Sequence, residues 1–378
     1  MKPQGKLTTQ KDVARLAGVS QAIVSVVLSG NTRNIGVSPE VADRVLSAAK
    51  RLNYRPNLSA RSMRQGRFFN IGYFAASSDC GEHDFAQFRA GIYDAASEQG
   101  FHVMMIRLPS NLSKDPDVVP RTFREAHLDA MIINPMTLSI NAIKEMVGSD
   151  NTLPIVYLNV KEEFGSVYVD DYHGARLATG HLFDQGFRRI AFFHAHVPKQ
   201  TDHYSRKDRI AGYSSFMAEH GLVAQIKKLE VDIYSAEPTT SDELASRASM
   251  RDWLQGPNIP EAVFCNNDSE AMAFQQLLYE LKLRVPEDIA VIGYDDDEIC
   301  RLSSPPMSTI HIPRYEMAVA AVNMAVSMIN LSNGDNAYRL APTIKFTPKL
   351  IVRKSSQAIQ SIVPAAKTDE TDFVVRDA

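Results

Sequence analysis

The chain has 378 residues, 44% of them hydrophobic and 22% charged, and a formal net charge of −3. That is enough apolar material for two or three packed domains, and no run is long enough for a signal peptide or a membrane span, so the chain reads as cytoplasmic. Three cysteines, Cys80, Cys265 and Cys300, are too few and too scattered for a disulfide framework or a zinc site.

The first predicted elements are two short helices joined at Gly18. Thr9 can cap the first, with Asp12 reaching back three residues later as in a capping box. Val13, Leu16 and Ala17 form its expected buried face. Gly18 suits a tight turn, Val19 can fill the angle between the helices, and Ser20 can cap the second. Ile23, Val24, Val27 and Leu28 supply the buried side of that helix, leaving Gln21, Ala22, Ser25 and Val26 outward. This is the layout of a helix-turn-helix, whose second helix enters the DNA major groove N-terminus first. A third helix follows, with Ser38 as cap, Pro39 at its first position and an apolar stripe of Val41, Val45, Ala49 and Leu52.

Charge is unevenly spread along the chain. Residues 1–67 hold twelve Lys or Arg against three acids, a net charge of +9, which leaves −12 for the remainder. A basic head on an acidic body fits a DNA-binding module whose partner domain stays off the polyanion. After the head, Asn57 can cap and Gly66 can stop a helical segment too short to be stable alone.

From Asn70 the pattern becomes an alternation of strands and amphipathic helices. Predicted strands are 70–75, 101–108, 130–134, 154–158, 167–170, 189–194, 262–266 and 288–294, and predicted helices 85–99, 172–185, 209–220, 269–281 and 315–330. Such alternation specifies parallel sheets with helices on both faces, and ligands of such sheets bind beyond the carboxyl ends of the strands. Two successive series suggest two lobes with a cleft between them. The alanines and methionines of the last helix read as core.

Catalytic signatures are lacking. There is no phosphate-cradling glycine loop, no His-Glu-x-x-His and no nucleophile elbow, so no catalytic residue, metal or cofactor is assigned. His194-Ala195-His196 reads as a strand end rather than a metal site, and Asp295-Asp296-Asp297-Glu298 as acids at a helix start.

Together, Thr9 to Ser25, Val37-Ser38-Pro39-Glu40, Leu52 to Asn57 and Ala60-Arg61-Ser62-Met63-Arg64 resemble the head of a lactose-repressor-family (LacI/GalR) transcription regulator. The resemblance continues through Asp170 to Ala175, Gly186 to Ala191, Arg209 to Tyr213, Asn267-Asp268, Val285 to Asp296 and Ser304 to Ile310, to about Lys354. It implies a helix-turn-helix domain over residues 1–56, a hinge helix over 57–69, a two-lobed α/β core resembling periplasmic binding proteins over 70–354, and a disordered tail over 355–378. It also implies that the chain crosses between the lobes three times. The expected function is a ligand-responsive repressor of carbohydrate-utilisation genes that binds a pseudo-palindromic operator as a homodimer. A periplasmic-type sugar receptor shares the core fold, but the basic head and missing secretion signal count against it, and an enzyme on this fold is a weaker rival still.

The resemblance also places sites. The DNA-facing set is Thr9, Ser20, Gln21, Ala22, Ser25 and Val26, joined by hinge residues Asn57, Ala60 and Met63, with Met63 where relatives wedge a leucine into the minor groove. Relatives commonly have threonine and arginine where this chain has Ile23 and Val26, and Val26 can meet a thymine methyl instead of a guanine. The effector set is Arg209 and Asp295, with Asn267, His203, Ser205, Asp84, Phe85 and Ile233 (or Tyr234) around them. A guanidinium between carboxylates favours a polyhydroxylated ligand. Without leucine heptads in the tail, a dimer is the simplest assembly.

Overall fold

A computed structural model describes residues 8–28, 36–55, 66–76, 86–109, 127–135, 138–148, 153–195, 203–229, 241–331 and 341–358. The chain divides into two compact units, Met1–Phe69 and Asn70–Ala378.

The first unit holds α1 (Gln10–Ala17), α2 (Gln21–Leu28) and α3 (Pro39–Arg51). The caps predicted at Thr9, Ser20 and Ser38 form. Thr9 Oγ1 accepts from Asp12 N while Thr9 N donates to Asp12 Oδ2 at 3.0 Å, Ser20 Oγ accepts from Ile23 N at 3.3 Å, and Ser38 Oγ from Val41 N at 3.4 Å. Gly18, at φ 65°, takes the left-handed conformation that ends α1. The core is Val13, Ala14, Ala17, Val24, Val27, Val45, Ala48 and Ala49, with Val19 packed against it. Leu16 departs from expectation and stands 42% exposed while Ala14 is buried. At about 100° per residue, Val13, Ala14 and Ala17 define one face and Leu16 lies well round from its centre.

The second unit opens with β1 (Asn70–Ala76), α4 (Ala86–Glu98), β2 (His102–Leu108), β3 (Ala130–Asn134), α5 (Ile140–Val147), β4 (Ile155–Leu158) and β5 (Ser166–Val169). It continues with α6 (Asp171–Asp184), β6 (Ile190–Ala195), α7 (Tyr204–Glu219), β7 (Gln225–Leu229), α8 (Ser241–Gln255), β8 (Ala262–Cys265), α9 (Asp268–Glu280) and β9 (Ala290–Ile292). The last elements are α10 (Ile299–Leu302), β10 (Thr309–His311), α11 (Arg314–Leu331), β11 (Ile344–Phe346) and β12 (Lys349–Ile351). Lobe A is a parallel sheet in the order β11-β5-β4-β3-β1-β2, and lobe B a parallel sheet in the order β7-β6-β8-β9, with β10 and β12 forming a separate antiparallel pair. The chain passes between the lobes three times: from β5 into α6, from β10 into α11, and from β11 into β12.

Small residues let the helices approach closely. A Cβ on Gly91 of α4 would lie 2.5 Å from the Tyr315 carbonyl oxygen of α11, and one on Gly212 of α7 would lie 2.2 Å from the Tyr172 carbonyl oxygen of α6. Met317, Ala318, Ala321, Val322, Ala325 and Met328 of α11 are buried, as the sequence pattern predicts.

Order continues past Lys354, where the tail was expected to begin. Lys354–Ser356 form a 3-10 turn with both serines buried. Ser355 Oγ accepts from Ser308 N at 2.9 Å and donates to the Val291 carbonyl at 2.6 Å, and Ser356 Oγ lies 2.7 Å from His181 Nε2. Hydroxyls that satisfy buried polar groups make a serine-rich segment part of the fold, and composition alone hides this.

Candidate functional site

On the head, Gln21 and Ala22 are exposed and Ser25 and Val26 half-buried, so the first two turns of α2 present a small, mostly uncharged surface. Gln21 Nε2 donates to Gln10 Oε1 at 3.4 Å, which ties the tip of α2 to the start of α1. Thr9 and Ser20 are exposed caps beside this surface. Asn57, Ala60 and Met63 lie outside the described residues.

In lobe B the carboxyl ends of β6, β8 and β9 meet α6, α7 and α9, and Arg209 is at the centre. Its Nε donates to Asp171 Oδ1 at 2.8 Å, one Nη to the Asn266 carbonyl, and the other Nη lies 3.5 Å from Asp295 Oδ1. The guanidinium carbon lies over the Tyr294 ring, 3.6 Å from its centroid. Burial opposes its charge, but Asp171 and Asp295 hold Arg209 above its ordinary value, so it is a permanent cation.

Asp295 sits at the strand end on strained backbone. Its φ is 118° and that of Asp296 is 56°, conformations that side-chain-bearing residues rarely adopt. The surroundings over-determine this turn. Asp295 N donates to the Ile310 carbonyl at 2.7 Å, and Arg314 donates to the Asp295 carbonyl at 2.8 Å and lies 3.3 Å from its carboxylate. Asp297 N donates to Asp268 Oδ2 at 2.8 Å. Asp296 pairs with Arg353 at 2.7 Å and Asp297 with Arg314 at 3.2 Å, so this acidic run is held by partners rather than merely facing a helix start.

The other predicted residues have local partners. His203 caps α7, with Nδ1 2.8 Å from Ser205 Oγ and Nε2 2.8 Å from the Asn159 carbonyl, which can only accept. The Nε2–H tautomer follows, and burial holds the ring below its ordinary pKa, hence neutral. Asn159 follows β4 of lobe A, so this hydrogen bond joins the two lobes. Asn267 caps α9, accepting from Glu270 N at 2.7 Å. Asp84, Phe85 and Ile233 lie outside the described residues, as does His196, and the described residues contain no cluster of His, Cys, Asp or Glu arranged to hold a metal.

Two family models match this chain. Residues 9–57 match the bacterial regulatory proteins of the lacI family, and residues 179–356 match a periplasmic binding protein-like domain. The HTH-type transcriptional repressor PurR of Haemophilus influenzae (strain PittEE) is 30% identical over 358 residues, 93% of this chain and 100% of that protein. The chain belongs to the lacI family. It is a DNA-binding transcriptional regulator. The ribose operon repressor of Escherichia coli (strain K12) is 30% identical over 331 residues, 85% of this regulator and 93% of the relative. The fold matches that of the lac repressor dimer bound to operator and the anti-inducer ONPF, at a TM-score of 0.71 and 24% identity over 93% of this regulator and 100% of that chain. No described helix of the regulator is long and apolar enough to cross a membrane.

Asp171, Tyr294, Arg314 and Glu270 were not singled out from the sequence. Asp170-Asp171 and Tyr294-Asp295 stand inside recognised motifs, but only the fold shows that Asp171 is Arg209's nearest carboxylate. Nothing in the pattern marked Glu270, whose carboxylate is buried at the helix end beneath Ala195 and Asn266.

Proposed function

We propose that this regulator is a cytoplasmic repressor of carbohydrate-utilisation genes, bound as a homodimer to an inverted-repeat operator and released or engaged by a small polyhydroxylated effector in the interlobe cleft. The observation that carries the reading is the joining of two assemblies in one chain: a capped helix-turn-helix in a basic head, and a buried Arg209 between Asp171 and Asp295 at the strand ends of a two-lobed core. Thr9, Ser20, Gln21, Ala22, Ser25 and Val26 meet the operator, with Gln21 able to read adenine and Val26 a thymine methyl. Asn57, Ala60 and Met63 form the hinge that reaches the minor groove.

In the cleft, Arg209 and Asp295 offer a donor and an acceptor for adjacent hydroxyls. Asn267, His203 and Ser205 shape the lobe B side, and Asp84, Phe85 and Ile233 complete the surround. A relative named for the ribose operon supports a sugar. Effector binding acts on DNA only through its different affinities for the two lobe arrangements.

The test couples both ends of the molecule. The full-length regulator is taken through binding-site selection on random duplex DNA, and the selected duplex is then titrated in the presence of pentoses, hexoses, uronates, sugar phosphates and nucleobases. An inverted repeat whose occupancy changes with one compound, and no longer responds in Arg209→Ala, supports the reading. A duplex without two-fold symmetry, or a response unaffected by that substitution, overturns it.

A further inference from the structure

The floor of lobe B holds a polar group that the Arg209 network does not exhaust. Asn266 follows β8 and is 6% exposed. Its backbone carbonyl accepts from Arg209, and its Nδ2 donates to Glu270 Oε1 at 3.1 Å. Among the described residues its Oδ1 has no hydrogen-bond partner.

Glu270 is also buried, at 2% exposure, and further N–H groups converge on it. The backbone N–H of Ala195, at the end of β6, donates to Oε2 at 3.0 Å, and Asn267 Nδ2 donates to Oε1 at 3.2 Å. Arg206 and Arg209 of α7 add positive charge on that side. An ionised carboxylate can only accept, so the Asn266 amide must turn its NH2 towards Glu270 and its carbonyl away. That polarity leaves a buried acceptor on the residue whose backbone carbonyl meets Arg209, at the strand ends where ligands of parallel sheets bind. An unmet buried acceptor destabilises the folded state, and a donor on a bound molecule offsets that penalty.

We propose that Asn266, oriented by Glu270, determines effector specificity by accepting a hydrogen bond from a hydroxyl or N–H group of the ligand. The proposal rests on the cleft being the effector site, as argued above. Glu270 acts as a positioning residue. A neutral sugar fits this floor, while a carboxylate or phosphate would set acceptor against acceptor.

The test is calorimetric titration of the full-length protein at pH 8 with D-ribose and D-glucose, and with D-ribose 5-phosphate and D-gluconate as acidic counterparts. At least one neutral sugar binds, and its acidic counterpart binds more weakly. Asn266→Ala weakens that sugar about tenfold or more, and Glu270→Gln does the same, because the new Nε2 donor lets the Asn266 amide turn over. Glu270→Gln keeps the shape and removes a buried charge, so it remains informative if Asn266→Ala fails to fold. Arg209→Ala abolishes binding. If Arg209→Ala abolishes binding but both other variants bind as the wild type does, the cleft reading survives and this proposal fails, with water meeting Oδ1. If binding survives Arg209→Ala, the cleft reading fails and takes the proposal with it. Binding confined to the acidic compounds, or no binding by either neutral sugar, also overturns the proposal.

Discussion

Arg209 and Asp171 form a buried ion pair, Nε to Oδ1 at 2.8 Å, with side chains 7% and 0% exposed. Asp171 is the first residue of α6, immediately after the first crossing between lobes, so the pair fixes the start of lobe B to the arginine at its strand ends. Asp171→Ala leaves the guanidinium buried with only Asp295 as a carboxylate partner. Breaking such a pair costs about 3–5 kcal/mol. Urea unfolding of the full chain checks this, and a loss under about 1 kcal/mol would show that Asn266 and Asp295 suffice.

Glycine-to-alanine substitutions separate two kinds of helix contact. At Gly212 the added methyl meets the Tyr172 carbonyl at 2.2 Å, and backbone cannot swing aside, so Gly212→Ala destabilises by about 1–3 kcal/mol. At Gly180 the methyl meets only the edge of the Phe216 ring, at 3.2 Å. A few tenths of an ångström of ring movement relieves it, and the gain in helix propensity is about 1 kcal/mol, so Gly180→Ala is neutral or stabilising. Thermal unfolding of the two variants side by side decides; equal destabilisation would contradict the distinction.

Glu270 makes stability depend on pH. Burial raises its pKa from 4.5 to about 7, so the folded state binds more protons than the unfolded state between those values. Stability from this group is therefore present below about pH 4.5 and lost as pH rises to about 7. Burial raises Asp268 to about 7 as well, adding to the trend, while burial lowers His203 and His181 and so opposes it. Comparing Glu270→Gln with the wild type isolates one group: the stability of the variant relative to wild type should rise from pH 5 to pH 8. A constant difference across that range would mean Glu270 titrates normally.

His203 links the lobes through the Asn159 carbonyl, and Lys161 of the same loop pairs with Asp208 of α7 at 2.7 Å. His203→Ala removes the only neutral side-chain donor of this pair of contacts and the cap of α7, for a cost of about 1 kcal/mol. The sharper outcome is functional. Effector-induced change in DNA affinity should shrink in His203→Ala more than effector affinity itself does, measured by titrating both ligands. Proportional loss of both would assign His203 to ligand contact instead.

The sequence carried the head almost in full, because capping and helical periodicity are local and a two-turn helix leaves few alternatives. Leu16 shows the limit: one residue of rotation decides whether a leucine faces core or solvent, and a helix of eight residues cannot fix that phase by its own pattern. In the core, strands such as Ala130–Asn134 were legible as unbroken apolar runs. The Gln225–Leu229 strand was not, since it lies at the edge of its sheet and the paired lysines Lys227 and Lys228 interrupt any apolar run. Arg209 and Asp295 were legible through motif resemblance. Asp171, Arg314 and Glu270 are brought to them from distant parts of the chain, and no spacing rule links residues 38, 105 and 61 positions away.

The three passages between the lobes bear on when the protein can become functional. Lobe A takes its edge strand from Ile344–Phe346, and lobe B takes β12 and the buried Ser355 and Ser356 from the residues just after. Lobe A is not complete until residue 346, nor lobe B until residue 356, has left the ribosome, whereas the head needs only the first fifty-odd residues. A nascent chain thus carries a folded DNA-reading module long before it has anything to regulate it, and a prematurely ended one would carry that module without a finished sensor.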